Sequence, residues 1–470
     1  MDARRALIQR RTSAGPIFFC ERGRFDFNPG VTALPGGPAL GPFGAFGNSF
    51  ASFVLGDADL TGRSFVNTTP TDRMTQFFSF FQDTWQASSK LTLNLGLRHE
   101  VYTPTHPQFA EGGSNYDPST NTLLISGLGD VPLNTGVETE WKNFAPRFGL
   151  SYRLNKTTVV RTGYGISYFM GRFGFYGGTI ATQFPAVFHT QVGIANDFLI
   201  AGTLDSIAAI SSQAVPSNGR LTPAPNQPLF SIPLHNPTPF VHSYNFTIQR
   251  QIANDLTVDI GYVGSLGRKL PYSRELNAAY PGTGAGGLAL FQAFGRTVTT
   301  TLRANGVNNN YNSLQANATK RFSHGLPFTV AYTCSKTLGV GDDQASFVNV
   351  LDFKKDYGPT SYDLTHMLTI SHLYELPFGS GKRFVSSSPL RFLVGGWQVN
   401  GILRAATGAP FTATADSTSC NCPGNGKFAD AVAPVWRRQG SSSGRSSTTS
   451  RIRRISTIRT AISIRVFSAR

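Results

Sequence analysis

The 470-residue chain is 40% hydrophobic and only 14% charged, where an ordinary soluble domain carries about 25% charged residues. It still holds no run of about 18 apolar residues, which excludes a helical membrane span. The net charge of +16 sits at the ends, with nine arginines and no acid from Arg437 to Arg470, a net +4 from Met1 to Arg24, and only +3 between them, a placement that argues against nucleic-acid partners.

A poorly defined segment, 1–44, precedes the first patterned residues. A weak strand is predicted from Ser52 to Leu60, and a strong one at Leu91–Arg98, where Leu91, Leu93, Leu95 and Leu97 alternate with polar residues and glycine. Period two sets one face of a strand apart from the other. Phe148, Leu150, Tyr152 and Leu154 alternate with Gly149, Ser151 and Arg153, and Val160, Tyr164, Ile166 and Tyr168 continue past Arg161, Gly163 and Ser167. Further on, Tyr244, Phe246 and Ile248 alternate with Asn245, Thr247 and Gln249. Leu256, Val258, Ile260 and Tyr262 alternate with Thr257, Asp259 and Gly261. Leu314, Ala316 and Ala318 share one face, as do Leu364, Leu368, Ile370 and Tyr374. Ten clear strands are predicted between Met74 and Arg404.

The connections alternate in length. Ala87 to Lys90, Asn155-Lys156, Ala253 to Asp255 and Ser323 to Leu326 are short. Thr103 to Asn143, Gly171 to Pro239, Lys269 to Asn310 and Gly339 to Thr360 are long. Outer-membrane barrels sort their connections this way, with short periplasmic turns and longer extracellular loops. The pattern therefore predicts an all-β fold, an antiparallel transmembrane β-barrel over 45–415. The polar residues of its strands would line a lumen, and Asn94, Arg98, Arg153, Arg161, Gln249 and Asp259 are the candidates. The long loops at 103–143, 171–239 and 269–310 would meet a solute first. After about Ala431 the alternation ends, and 416–470 reads as an Arg/Ser-rich tail, disordered or frame-shifted.

Catalytic and cofactor chemistry finds no support. Gly379-Ser380-Gly381-Lys382 has Leu376 and Arg383 where a phosphate loop needs Gly and Ser or Thr, so it reads as a polar turn. Gly163-Tyr164-Gly165 lies inside an alternating strand and makes no dinucleotide turn. His366 and His372 share a strand face and read as wall residues rather than metal ligands. Asp342, Asp343 and Asp352 read as a solvated loop face. Of the four cysteines, Cys420-Asn421-Cys422 is too tight for the usual zinc spacing and is free or locally oxidised. No enzyme, metal or cofactor is expected.

Several segments carry a family resemblance. They include Phe81-Gln82-Asp83-Thr84-Trp85 with the leucine-rich strand after it, and Asn143-Phe144-Ala145-Pro146-Arg147-Phe148-Gly149 with Arg161-Thr162-Gly163-Tyr164-Gly165-Ile166. Others are Tyr244-Asn245-Phe246-Thr247-Ile248-Gln249-Arg250 with Tyr262-Val263-Gly264-Ser265, and Gly395-Gly396-Trp397-Gln398-Val399. Over roughly 45 to 415 the chain resembles the Oar-like, acidobacterial type of TonB-dependent receptor. The resemblance implies an outer-membrane location in a Gram-negative-type bacterium. It also implies uptake of a large or scarce solute through a plug-gated lumen, and energy from a TonB complex engaged through N-terminal parts. Such transporters close 22-stranded barrels, of which about 12–14 strands are expected here. The stretch from Met1 to Arg11 lacks the apolar core of about 7–15 residues that a secretory signal needs, so the chain is expected to be a fragment of a longer gene product. A passive porin or a surface-adhesion barrel is the rival reading.

Overall fold

The computed structural model describes residues 2–13, 23–27, 31–32, 49–170, 180–193, 200–206, 213–323, 325–340, 345–346, 356–379, 381–384, 396–410, 422, 424 and 461–469. Twelve of its strands form one antiparallel path in chain order. They are β1 (Asp2–Ser13), β2 (Thr71–Gln86), β3 (Leu91–Tyr102), β4 (Phe144–Arg153), β5 (Thr158–Tyr168) and β6 (Phe240–Ala253). The path continues through β7 (Leu256–Glu275), β8 (Thr300–Lys320), β9 (Phe328–Val340), β10 (His366–Glu375), β11 (Gln398–Ala406) and β12 (Ala461–Ala469). Each strand pairs with the next, so the backbone groups of the inner strands are satisfied within the sheet, as a hydrocarbon environment demands. The ten strands expected between Met74 and Arg404 are β2 to β11. Two more lie outside 45–415, with β1 paired to β2 and β12 paired to β11.

Residues directly opposite each other in an antiparallel pair share a face. On one face the register aligns Trp85, Leu93 and Leu150 across β2, β3 and β4. Thr162, Phe246, Tyr262 and Leu314 continue that rung through β8. Large apolar side chains on this face stand open: Trp85 is 57% exposed, Ile260 52% and Leu314 51%. A water-soluble domain would cover such a contiguous band. At its loop end the band carries aromatic–histidine pairs. Tyr164 Oη and His242 Nδ1 are 2.8 Å apart, and the His99 ring stacks on Phe144 at 4.6 Å. At the turn end stand Trp85, Tyr152, Tyr374 and Trp397, all exposed. Two aromatic girdles around an apolar band are the mark of a membrane-spanning barrel wall.

Two expectations need correction. Ser52 to Leu60 is not a wall strand: residues 49–55 are helical, Asp57–Ala58 pairs with Gly202–Thr203, and Leu60–Val66 pairs with Val187–Gly193 in a separate small sheet. The apolar run Phe53-Val54-Leu55 has no period-two alternation to hold it on a sheet face. Nor is 269–310 all loop, because β7 runs on to Glu275 and β8 starts at Thr300. Their pairing passes through a bulge around Gly267–Pro271, with Lys269 at φ 52°. A bulge shifts the side-chain alternation by a residue, which erases the strand pattern from the sequence while the hydrogen bonding continues.

Beyond the bulge, β7 and β8, of 20 and 21 residues, extend about twice the 9–11 residues that cross a bilayer. Loop segments pack on these extensions. Tyr116, Leu123, Ile125, Phe184, Leu229 and Leu290, drawn from three different loops, form one buried cluster. Leu229–Ser231 pairs in parallel with the first residues of β8. The long loops thus build a folded lobe rather than independent hairpins.

Candidate transport surface

The face opposite the apolar band is polar. The register places all six candidates on it. Asn94 opposes Thr84 and Gly149, and Arg98 opposes Phe80 and Ala145. Arg153 opposes Val159, which in turn opposes Gln249, and Gln249 opposes Asp259. Arg161 lies between Ser151 and Thr247. Asp259 continues the rung to Asn317 on β8. Arg153, Gln249 and Asp259 therefore share one rung near the turn end, whereas Asn94 and Arg98 lie further along β3.

These residues differ in how they are held. Asn94 Oδ1 accepts the Thr84 hydroxyl at 2.8 Å. Arg98 is tied down more firmly: its Nε meets Glu100 Oε1 at 2.9 Å, and its guanidinium lies 4.9 Å from the Phe78 ring centroid. Tyr102 Oη donates to the other Glu100 oxygen at 2.6 Å. The strand period of two stacks Arg98, Glu100 and Tyr102 on one face, so a carboxylate buried to 2% exposure is satisfied from both sides. Glu100 and Tyr102 escaped sequence reading because His99 and Val101 interrupt a simple polar run. The signal was there in the spacing of Arg98, Glu100 and Tyr102.

At the turn end, the Asp255 carboxylate receives the Ser323 hydroxyl and pairs with Lys320 Nζ at 3.2 Å, which holds its pKa below the usual carboxylate range. This contact ties the β6–β7 turn to the β8–β9 turn.

At the loop end, carboxamides stand in for missing strand partners. Asn115 Nδ2 donates to the Ile232 carbonyl at 2.9 Å, and its Oδ1 accepts the Ile232 N–H at 2.8 Å. Gln183 does the same to Phe230, at 2.9 and 2.8 Å. Asn277 Nδ2 donates to the Arg296 and Val298 carbonyls, and its Oδ1 accepts the Leu290 N–H at 2.9 Å. Each primary amide matches the donor–acceptor pair of a peptide group. Arg296 is fully buried, donates to the Ala224 and Gln227 carbonyls and lies 5.1 Å from the Tyr116 ring centroid. Glu275 Oε1 accepts the Asn277 and Thr300 N–H groups, each at 2.7 Å. Burial pushes this carboxyl, beyond the bilayer at the loop end of β7, up to about 7 against the pull of those donors and of Arg296.

Among the described residues no group of three or more His, Cys, Asp or Glu side chains is arranged to hold a metal ion. His366 hydrogen-bonds Tyr332 Oη through Nδ1 at 2.9 Å, and the ring of His372 lies over Gly401 on the apolar face. Cys334 is a free thiol, and Cys422 is buried and disulfide-bonded. Asp342, Asp343, Asp352, Cys20 and Cys420 lie outside the described residues.

A meander with an apolar outer band, two aromatic girdles and a polar opposite face is a piece of outer-membrane barrel wall. The chain belongs to the outer membrane beta barrel domain family, whose model matches residues 2–457. No curated protein matches it. Among solved structures it is similar to the FrpB iron transporter from Neisseria meningitidis, with 11% identity, a TM-score of 0.38, and coverage of 87% of this chain and 41% of that one. It is similar to the outer membrane transporter YddB from Escherichia coli, with 9% identity, a TM-score of 0.39, and coverage of 76% and 44%. It is also similar to the ferripyoverdine receptor of the outer membrane of Pseudomonas aeruginosa, with 13% identity, a TM-score of 0.35, and coverage of 74% and 30%. The chain thus spans less than half of each of these chains.

Proposed function

We propose that this chain is part of the barrel of a TonB-dependent transporter of the Oar-like kind, which takes up a large or scarce solute through a plug-gated lumen. The carrying observation is the placement of Asn94, Arg98, Arg153, Arg161, Gln249 and Asp259 on a single polar face behind an apolar, aromatic-edged band. That face is the lumen, and the loop lobe is the first surface a solute meets. The motif set shared with TonB-dependent receptors supports the energised mode, with the TonB complex and the solute as partners.

The test compares solute depletion from the medium by the source bacterium, by a deletion of this gene and by a deletion of its TonB. A solute left behind by both deletions supports the proposal. A solute left behind only when the barrel gene is removed makes the protein a passive porin. A barrel deletion that changes adhesion and no solute level makes it a surface-adhesion barrel.

A further inference from the structure

A cavity of about 360 Å³ opens on the polar face of β7, β8 and β9. Register builds its floor. Ser265, Tyr311 and Thr337 form one rung, and Thr333 opposes Met367 two rungs nearer the turn end. Its wall is the segment after Tyr357–Pro359, which pairs with the end of β9. The Asp363 carboxylate clamps that segment by accepting the Thr337 N–H at 2.7 Å and pairing with Lys336. Ser335 Oγ adds a bond to the Leu364 carbonyl at 2.9 Å. Asp363 is only 2% exposed, while its neighbour Tyr362 stands 54% exposed at the cavity mouth.

The lining is chemically narrow. Among the described residues it consists of hydroxyls, one carboxamide, two phenol rings, a leucine and a methionine, with no acidic, basic or imidazole side chain. Lys336 alternates to the other face of β9 and is neutralised by Asp363. Among the described residues, the hydroxyls of Ser265, Tyr311, Thr333 and Tyr362 make no hydrogen bond within the protein. Hydroxyl groups both donate and accept, so they suit a ligand that does the same around its perimeter. Aromatic rings and the Met367 side chain offer flat apolar contact between those hydroxyls. An anionic or metal-chelate solute would call for cationic or charge-assisted partners, which this lining lacks. The volume lies at the small end of the range for ligand pockets, about 300–1,000 Å³, which suits a short glycan segment.

We propose that this cavity is a subsite for an uncharged oligosaccharide on its way through the barrel. The proposal rests on the reading of the polar face as a lumen and gives that reading a substrate class. Sugar ring faces lie against Tyr311 and Tyr362, and sugar hydroxyls exchange hydrogen bonds with Ser265 and Thr333.

The experiment uses the full chain in lipid nanodiscs, with ligand-observed saturation-transfer NMR. The probes are cellobiose, maltose, xylobiose, laminaribiose and their trimers, with digalacturonate and a ferric tris-catecholate complex as charged comparators. At least one uncharged probe should show transfer to its ring protons. Tyr362→Ala should weaken that binding tenfold or more, and Thr333→Val together with Ser265→Ala by at least threefold. Thr333→Val alone, which exchanges one hydroxyl for a methyl group, serves if the double variant fails to fold and should weaken binding about twofold. The proposal is overturned if no uncharged probe binds, if binding ignores these variants, or if only the charged probes bind. Insertion is scored separately by flotation with lipid. A chain that inserts and ignores sugars loses only the sugar assignment, whereas a chain that stays monomeric in plain buffer loses the lumen reading as well.

Discussion

The Tyr244 ring lies across Gly264, its register partner on the neighbouring strand, so closely that a Cβ on Gly264 would come within 2.4 Å of the ring carbons. Tyr244 Oη reaches on to Asn312 Oδ1 at 3.0 Å, where Tyr262 Oη also donates at 2.6 Å. The missing side chain at Gly264 therefore lets an aromatic cover the strand and gather polar groups at the loop-side girdle. Tyr262 and Leu314 continue the band toward the turns.

Gly264→Val is expected to force Tyr244 out of this position and to break its bond to Asn312. Overpacking of this kind typically costs about 1–3 kcal/mol. Urea unfolding in lipid vesicles should show that loss. Tyr244→Ala combined with Gly264→Val should recover part of it, because the clash is then gone.

The two faces of β7 should respond oppositely to charge. Ile260→Arg places a cation in the apolar band, at a cost of about 2–4 kcal/mol near the bilayer midplane. Asp259→Asn, one residue away on the polar face, should change stability by less than about 1 kcal/mol. Equal losses at the two positions would mean that both faces meet the same medium.

Arg296→Met removes the donors that serve the Ala224 and Gln227 carbonyls and strands Glu275 without its neighbouring cation. Leaving buried polar groups unpaired costs about 1–3 kcal/mol each. Hydrogen exchange should rise across the lobe, in 113–125 and 224–232, with little change in the central wall strands.

The lobe should also tighten in mild acid. Glu275 has an ordinary value of 4.5 and is pushed up to about 7 in the fold, so the folded state holds a proton that the unfolded state releases. Stability from this group is therefore greatest below about 4.5 and is lost as pH rises toward 7, by up to about 3 kcal/mol. Exchange in the lobe, corrected for intrinsic rate, should slow between pH 8 and pH 5.5. Glu275→Gln should remove that dependence.

Much of the wall was legible from alternation alone. Leu91 to Arg98 and Leu256 to Tyr262 repeat strictly because one side of each strand meets an apolar medium, and that constraint also sorted Asn94, Gln249 and Asp259 onto the other side. Legibility stopped where the constraint stopped. Beyond the bulge at Lys269 the strands leave the apolar medium, so nothing keeps their residues in a two-residue pattern, and β7 and β8 read as loop. The consecutive arginine pairs Arg4-Arg5 and Arg10-Arg11 likewise blur any period in β1.

The lobe was invisible for another reason. Its core joins Tyr116, Phe184, Leu229 and Leu290 across more than a hundred and fifty residues of sequence. Its glue is three ordinary-looking amides, Asn115, Gln183 and Asn277, whose role depends on which backbone segment the fold brings to them. The same holds for the cavity, since Tyr362 gains its place through the Asp363 clamp on Thr337 and the Ser335 bond to Leu364.

The most direct test of the barrel wall is a spin-label scan of β7 and β8 in lipid, one position at a time, comparing collisions with oxygen and with a water-soluble nickel chelate. Labels at Ile260, Tyr262, Leu314 and Ala316 are expected to favour oxygen, and labels at Asp259, Gly261, Gln315 and Asn317 to favour nickel, alternating residue by residue. Uniform nickel access along both strands, with no alternation, would contradict the assignment of one face to lipid and the other to a lumen.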